Sequence, residues 1–262
     1  MAAARTLTAA PGAAPARVLA LRIAIVATVL VAWEALALSG LLFRDVVPSL
    51  GAIGKAIVVL LSRADFYTNL GTTAYEIGVA LAIGGISGLA VGIALGANRF
   101  LSQAFESLLL YLGPTPKIIF FPVMIMWFGV GGGSKIAMGA ISCFFPIAIS
   151  AAAGMRQIDR VLIRVGRSFR ASTAQMIVKI YLPAMRVPIV NGVRLGLGVA
   201  IIGTLLAETK LSNRGLGYLI IQAYALFDMP RMYALLIVLF VIAIGLNAMI
   251  GRYAVGDRTR GA

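Results

Sequence analysis

The chain has 262 residues, 61% of them hydrophobic and 12% charged, with 23 Lys and Arg against 9 Asp and Glu, no His and a net charge of +14. So little polar surface cannot cover a water-soluble fold of this length, so the composition specifies an integral membrane protein. The lack of His excludes imidazole bases and His-held metals. A single cysteine, Cys143, excludes an intrachain disulfide and a Cys-ligated metal or cluster.

Residues 1–16, rich in Ala and Pro, are expected to form a disordered tail. Arg5, Arg17 and Arg22 then precede an apolar run, and Ala35-Leu36-Ala37 resembles a signal-peptidase site. Glu34 interrupts that run, and a polytopic chain needs no removable signal, so the segment is expected to stay as a span. A spanning helix takes about 20 apolar residues, and six segments qualify. Residues 23–42 are apolar apart from Glu34. Residues 77–97, 136–155 and 232–251 carry no charge. Residues 107–130 hold Lys117 together with Pro114, Pro116 and Pro122, and residues 187–207 hold Arg194 with Asn191 a turn earlier. Residues 50–61, after Pro48-Ser49, and residues 216–227 are too short to cross and suit interfacial or re-entrant helices. The expected organisation is an all-α polytopic fold: one transmembrane domain over residues 17–255, with a core at about 70–252, an inner loop at 156–186 and a short tail at 256–262.

Charge sets the orientation. With the N-terminus inside, 14 of the 23 basic residues fall on the cytoplasmic side, seven of them in the 156–186 loop: Arg156, Arg160, Arg164, Arg167, Arg170, Lys179 and Arg186. Seven others (Arg44, Lys55, Arg63, Lys135, Lys210, Arg214, Arg231) fall outside. This asymmetry gives an N-in, C-in topology and explains the positive charge without nucleic acid.

Within the second span, Gly84, Gly88, Gly92 and Gly96 recur every four residues. Such a stripe forms a nearly straight groove that lets another helix approach closely, in the same chain or across a dimer. Gly131-Gly132-Gly133-Ser134-Lys135 is in the wrong order for a phosphate loop and is read as a flexible outer turn.

The inner loop carries the strongest pattern. Ile158, Val161, Leu162, Val165 and Phe169 share one helical face, and Arg156, Arg160, Arg164 and Arg167 mark another. Ser172 and Gln175 have capping-box spacing and start a second short helix, which Pro183 is expected to end. The loop therefore reads as two helices on the inner membrane surface. A single amphipathic helix would suit anionic lipid, whereas a capped pair with a fixed turn suits a protein cleft.

These residues resemble the permease subunits of binding-protein-dependent ABC importers. That family carries the loop pattern E-A-A-x3-G-x9-I-x-L-P, and Ile180-Tyr181-Leu182-Pro183 matches its end. Counting back, the Gly falls on Arg170 and the triplet on Arg164-Val165-Gly166, so the head of the pattern is missing. Pro116-Lys117-Ile118, Trp127-Phe128-Gly129-Val130-Gly131, Gly192-Val193-Arg194, Ala207-Glu208 and Gly215-Leu216-Gly217-Tyr218 are similar to the nitrate/sulfonate/taurine subgroup. The resemblance implies a type I importer permease in a bacterial inner membrane. A second permease, as a homodimer, two ABC ATPase subunits and a periplasmic or lipid-anchored binding protein would complete the assembly. It implies no catalysis and no cofactor in this chain, with ATP and Mg bound by the ATPase. It places the coupling loop at Arg164, Gly166, Arg167, Arg170, Ala171, Ser172, Gln175, Ile180, Leu182 and Pro183. Arg170 resists the left-handed turn that Gly would make easily, so the turn is expected to move to Ala171-Ser172 or the docking geometry to differ.

Ionisable groups inside spans cost at least about 2.5 kcal/mol and are functional candidates. Lys117, Asn191 and Arg194 are the candidates for a positively charged pathway that accepts a small anion. The alternative for these cations is snorkelling or pairing with Glu106 or Glu34, and Glu208 reads as structural. The competing function is a stand-alone secondary transporter or channel. That would call for coupling acids or an inverted repeat, and the three charge-free spans hold no acid.

Overall fold

The computed structural model describes residues 14–40 and 46–255. The expected 1–16 tail lies outside the described residues except for its last three, which begin the first helix. The 256–262 tail, Arg5, Arg44, Arg258 and Arg260 lie outside them too. All regular structure among the described residues is helical. The order is α1 (Ala14–Leu38), α2 (Leu50–Ser62), α3 (Ala64–Ala97), α4 (Arg99–Leu112), a 3-10 turn (Lys117–Phe120), α5 (Phe121–Phe128), α6 (Gly132–Arg156), α7 (Arg160–Ser168), α8 (Thr173–Met176), a π turn (Ile177–Tyr181), α9 (Leu182–Ala184), α10 (Arg186–Lys210), α11 (Leu216–Ala225) and α12 (Met229–Val255).

Five helices are long and apolar enough to cross: α1, α3, α6, α10 and α12. The third expected span is broken. Arg99–Leu112 and Lys117–Phe128 meet at 93°, so a sixth crossing exists only as a bent pair. The cause is local: Pro114 and Pro116 lack an N–H to continue the helical ladder, and Pro116 itself is extended, at ψ 98°. The Gly-rich outer turn is also shorter than expected. It covers Gly129, at φ 76°, to Gly131, while Gly132–Lys135 form the first turn of α6.

The two short apolar segments are helices. Ser49 caps α2 through the Ala52 N–H. α2 packs on α12, and an outer cluster of Leu60, Phe66, Leu216, Leu219 and Leu235 joins α2, α3, α11 and α12. α1 is joined to the rest near its outer end. Trp33 Nε1 donates to Pro48 O at 3.1 Å, and the Glu34 carboxylate accepts the Leu50 N–H at 2.8 Å.

The centre of the fold is α6, clasped between α3 and α10. Gly84, Gly88, Gly92 and Gly96 all face it. A Cβ on each would collide, in order, with the Ala140 carbonyl and Cys143, the Phe144 carbonyl, the Ala148 carbonyl and Ala151, and Met155. The opposite side of α6 receives Gly192, Gly196 and Gly203 of α10 against Ser150, Ile147 and Ser142. Without water to drive helices together, this close backbone approach is what holds the three.

Candidate functional site

The inner loop folds as two helices with a defined corner. Asp159 caps α7 through the Val161 N–H at 2.8 Å. At the other end of α7, Arg170 N–H donates to Arg167 O and Ala171 N–H to Gly166 O, at 2.9 and 3.0 Å. That is a Schellman closure, and its left-handed residue is Arg170 itself, at φ 54°. The turn has therefore not moved to Ala171-Ser172. Two satisfied carbonyls offset the ~1 kcal/mol that a side chain costs there. Ser172 and Gln175 then make both halves of a capping box.

Pro183 does not end the second helix. The backbone widens into the π turn at Ile177–Tyr181, continues through α9 and enters α10. Pro183 lacks an N–H and its ring would crowd the carbonyl four residues back, and the widened turn removes that conflict. Ile180, Leu182 and Pro183, expected to belong to a coupling loop, are thus joined through one helical path to a spanning helix.

The pair packs on itself through Gly166, which is buried and so close to Ile180 and Met176 that a Cβ would strike both. Ile158 is buried and Ile163 packs in the same cluster. The rest of the expected apolar face is not covered. Val161, Leu162 and Val165 are about half exposed, and Phe169 is 82% exposed. Arg164, Arg167 and Arg170 are exposed beside them.

The intramembrane cations are held separately. The Lys117 ammonium donates to the Gly113 and Thr115 carbonyls and sits 4.9 Å from the centre of the Phe145 ring. Arg194 Nε donates to Asn247 Oδ1 at 2.8 Å. Asn191 borders two clefts at the inner half of α10. One, of about 510 Å³, is lined by Ser150, Gly154, Gln157 and Pro188. The other, of about 280 Å³, is shared with Arg194 and Asn247. Neither cation pairs with the acids considered as partners. Glu106 is bound by Arg156, Nη2 to Oε1 at 2.7 Å, and Glu34 by the Leu50 amide.

A polar site near the outer ends of α3, α6 and α10 was not foreseen. Glu76 and Glu208 are 4% and 1% exposed, and Lys135 is 3% exposed. Glu76 stands one residue before the charge-free run of 77–97, outside the stretch that hydropathy marks as a span. Lys135 was hidden in the Gly-rich stretch. α3 has 34 residues, about 50 Å of helix against a hydrocarbon core of about 30 Å, and its N-terminal extension carries Glu76 in among the neighbouring helices.

Residues 84–261 match the family of the binding-protein-dependent transport system inner membrane component. The chain belongs to that family. It is a multi-pass inner-membrane permease subunit of an ABC importer. It is non-catalytic, and the ATPase and the substrate-binding protein of such an importer are separate subunits. The permease is 31% identical over 190 residues to the taurine transport system permease protein TauC of Escherichia coli (strain K12), covering 71% of this chain and 69% of that one. It is 27% identical over 184 residues to the formylaminopyrimidine transport permease protein ThiX of Halalkalibacterium halodurans, covering 70% and 74%. A chain from an inward-facing structure of the MetNI methionine ABC transporter shares the fold, with a TM-score of 0.62 at 20% identity over 71% of this permease and 93% of that chain.

Proposed function

We propose that two copies of this permease form a pathway for a small organic anion of the taurine or sulfonate class, driven by alternating access. ATP and Mg bind to a pair of ATPase subunits. Each inner loop seats in an ATPase groove, and closure of the ATPase pair draws the loops together. The helical path from α8 through the π turn to α10 carries that displacement into the membrane, where repacking opens the pathway outward to the binding protein. Hydrolysis resets it. The observation that carries this reading is the row of uncovered apolar side chains on a helix pair whose corner is closed by its own backbone and capping bonds. A surface held rigid and left apolar fits a protein groove.

The test is reconstitution with the ATPase and binding protein of the same importer. ATP hydrolysis stimulated by the loaded binding protein is expected, and solute uptake by this chain alone in liposomes would overturn the proposal. Arg164→Glu restores the acid of the family pattern in an exposed position. It is expected to lower stimulated hydrolysis several-fold, because the partner groove is read as matched to a cation, and unchanged transport would remove that reading. Lys117 and Arg194, with Asn191, supply the positive field for the anion. Lys117→Met is expected to cut anion uptake roughly tenfold or more while leaving basal ATP hydrolysis intact, as measured by labelled-substrate flux into proteoliposomes.

A further inference from the structure

The outer polar site encloses two acids and one ammonium, all nearly fully buried. Glu208 uses both carboxylate oxygens as acceptors. Thr73 Oγ1 donates to Oε1 at 2.7 Å, and the Gly217 amide donates to Oε2 at 2.6 Å. Thr73 is itself fixed, since its hydroxyl accepts the Leu216 amide at 2.8 Å. Glu76 lies one turn beyond Thr73 on α3, the helix whose hydroxyl holds Glu208, and its Oε2 is buried with no hydrogen-bond partner among the described residues.

A buried carboxyl oxygen that meets no donor is far costlier on an ionised group than on a neutral acid, so one of the two carboxyls holds a proton. Glu208, already accepting from two fixed donors, is the ionised one. Glu76, with no donor aimed at its Oε2, is the group that must carry the hydrogen. Charge balance points the same way. Lys135 on α6 is buried at the same outer junction, and its ammonium donates to the Val130 and Gly131 carbonyls at 2.7 and 3.0 Å. Two ionised acids beside one ammonium leave a net buried charge, whereas one ionised acid leaves none.

The enclosure is built for this pair. Gly215, at φ 102°, and Gly217 lie so close to Glu208 that a Cβ on either would overlap its side chain. The Gly215 amide is anchored by Asn69 Oδ1 at 2.7 Å. The sequence fragments Ala207-Glu208 and Gly215-Leu216-Gly217 are therefore two halves of one site, and α11 starts on the Glu208 carboxylate.

We propose that Glu76 and Glu208 form a proton-binding site, with one proton carried by Glu76 and donated to Glu208. The bound proton ties α3, α10 and α11 together beside α6 at the outer end of the permease. Losing it would set two like charges against each other at that junction.

Infrared spectroscopy of the full chain in lipid nanodiscs at neutral pH tests this. The wild type should show the C=O stretch of a protonated carboxylic acid. That band should shift in D2O and shift again when the glutamates are 13C-labelled at the side-chain carboxyl. Glu76→Gln should remove it while the chain stays folded, because the amide N–H can donate to Glu208 in place of the acid. Absence of the band from the wild type, or its survival in Glu76→Gln, overturns the proposal. Replacement of the band by carboxylate on adding sodium at constant pH also overturns it, because the ligand would then be a metal cation. Should Glu76→Gln not accumulate, the doubly isotope-sensitive wild-type band decides alone.

Discussion

Gly92→Leu is expected to abolish accumulation of the folded permease. A Cβ at position 92 would overlap the Ala148 carbonyl and the Ala151 side chain, and stand 3.1 Å from the Ala152 amide nitrogen. Two of these three neighbours are backbone of α6, so no rotamer change relieves the clash, and α3 must move away. Overpacking of a well-packed core costs typically 1–3 kcal/mol and occasionally more. Here the cost extends along the helix, because lifting α3 at residue 92 loosens Gly88 and Gly96 as well. Association in the bilayer depends on such van der Waals contact, so about 3 kcal/mol or more is expected, enough to unseat a marginal fold. The control lies on the same helix. Gly78 is exposed and has nothing within 4 Å of a Cβ, so Gly78→Leu should express like wild type. Size-exclusion profiles and thermal unfolding of the two variants check the contrast, and equal behaviour would show that the stripe does not hold α3 on α6.

The second large effect belongs to the inner loop. Val165→Asp places a carboxylate in the middle of the uncovered row formed by Val161, Leu162 and Phe169. The position is about half exposed in this chain, so the permease itself should fold normally. In an ATPase groove the same carboxylate would be desolvated without a partner. Anchor positions at interfaces are worth about 2 kcal/mol or more, roughly thirtyfold in affinity. The expected result is a permease that purifies in normal yield but captures its ATPase at least tenfold more weakly and gives no substrate-stimulated hydrolysis. Pull-down with the purified ATPase measures it, and retained capture would mean that a different face docks.

Hydropathy located the crossings because a bilayer imposes a length on apolar runs. It could not say which side of each helix packs, since lipid-facing and core-facing sides are both apolar. Glycine spacing broke that tie for α3, where bulk is absent along one line. The bend in the third span was hidden for the opposite reason: apolar content continued through Pro114 and Pro116 while the backbone turned by 93°. In the inner loop, Ser172 and Gln175 act over three residues and were legible. The left-handed Arg170 and the π turn were not, because each answers a need of the surrounding backbone that its own residue type opposes. Glu76 and Glu208 meet only after α3 and α10 are assembled, and nothing local to either acid announces the other.

The wide turn at Ile177–Tyr181 has a consequence for how the loop is aimed. An α-helix advances about 100° per residue, so a turn holding one residue more than α geometry requires resets the azimuth of everything on its far side. The bearing of Val161 and Val165 about the α10 axis is therefore a phase angle stored in a residue count. Side-chain substitutions along Ile177–Tyr181 leave that phase alone, whereas a one-residue deletion there would swing the exposed apolar row about a quarter-turn while preserving every side chain in it.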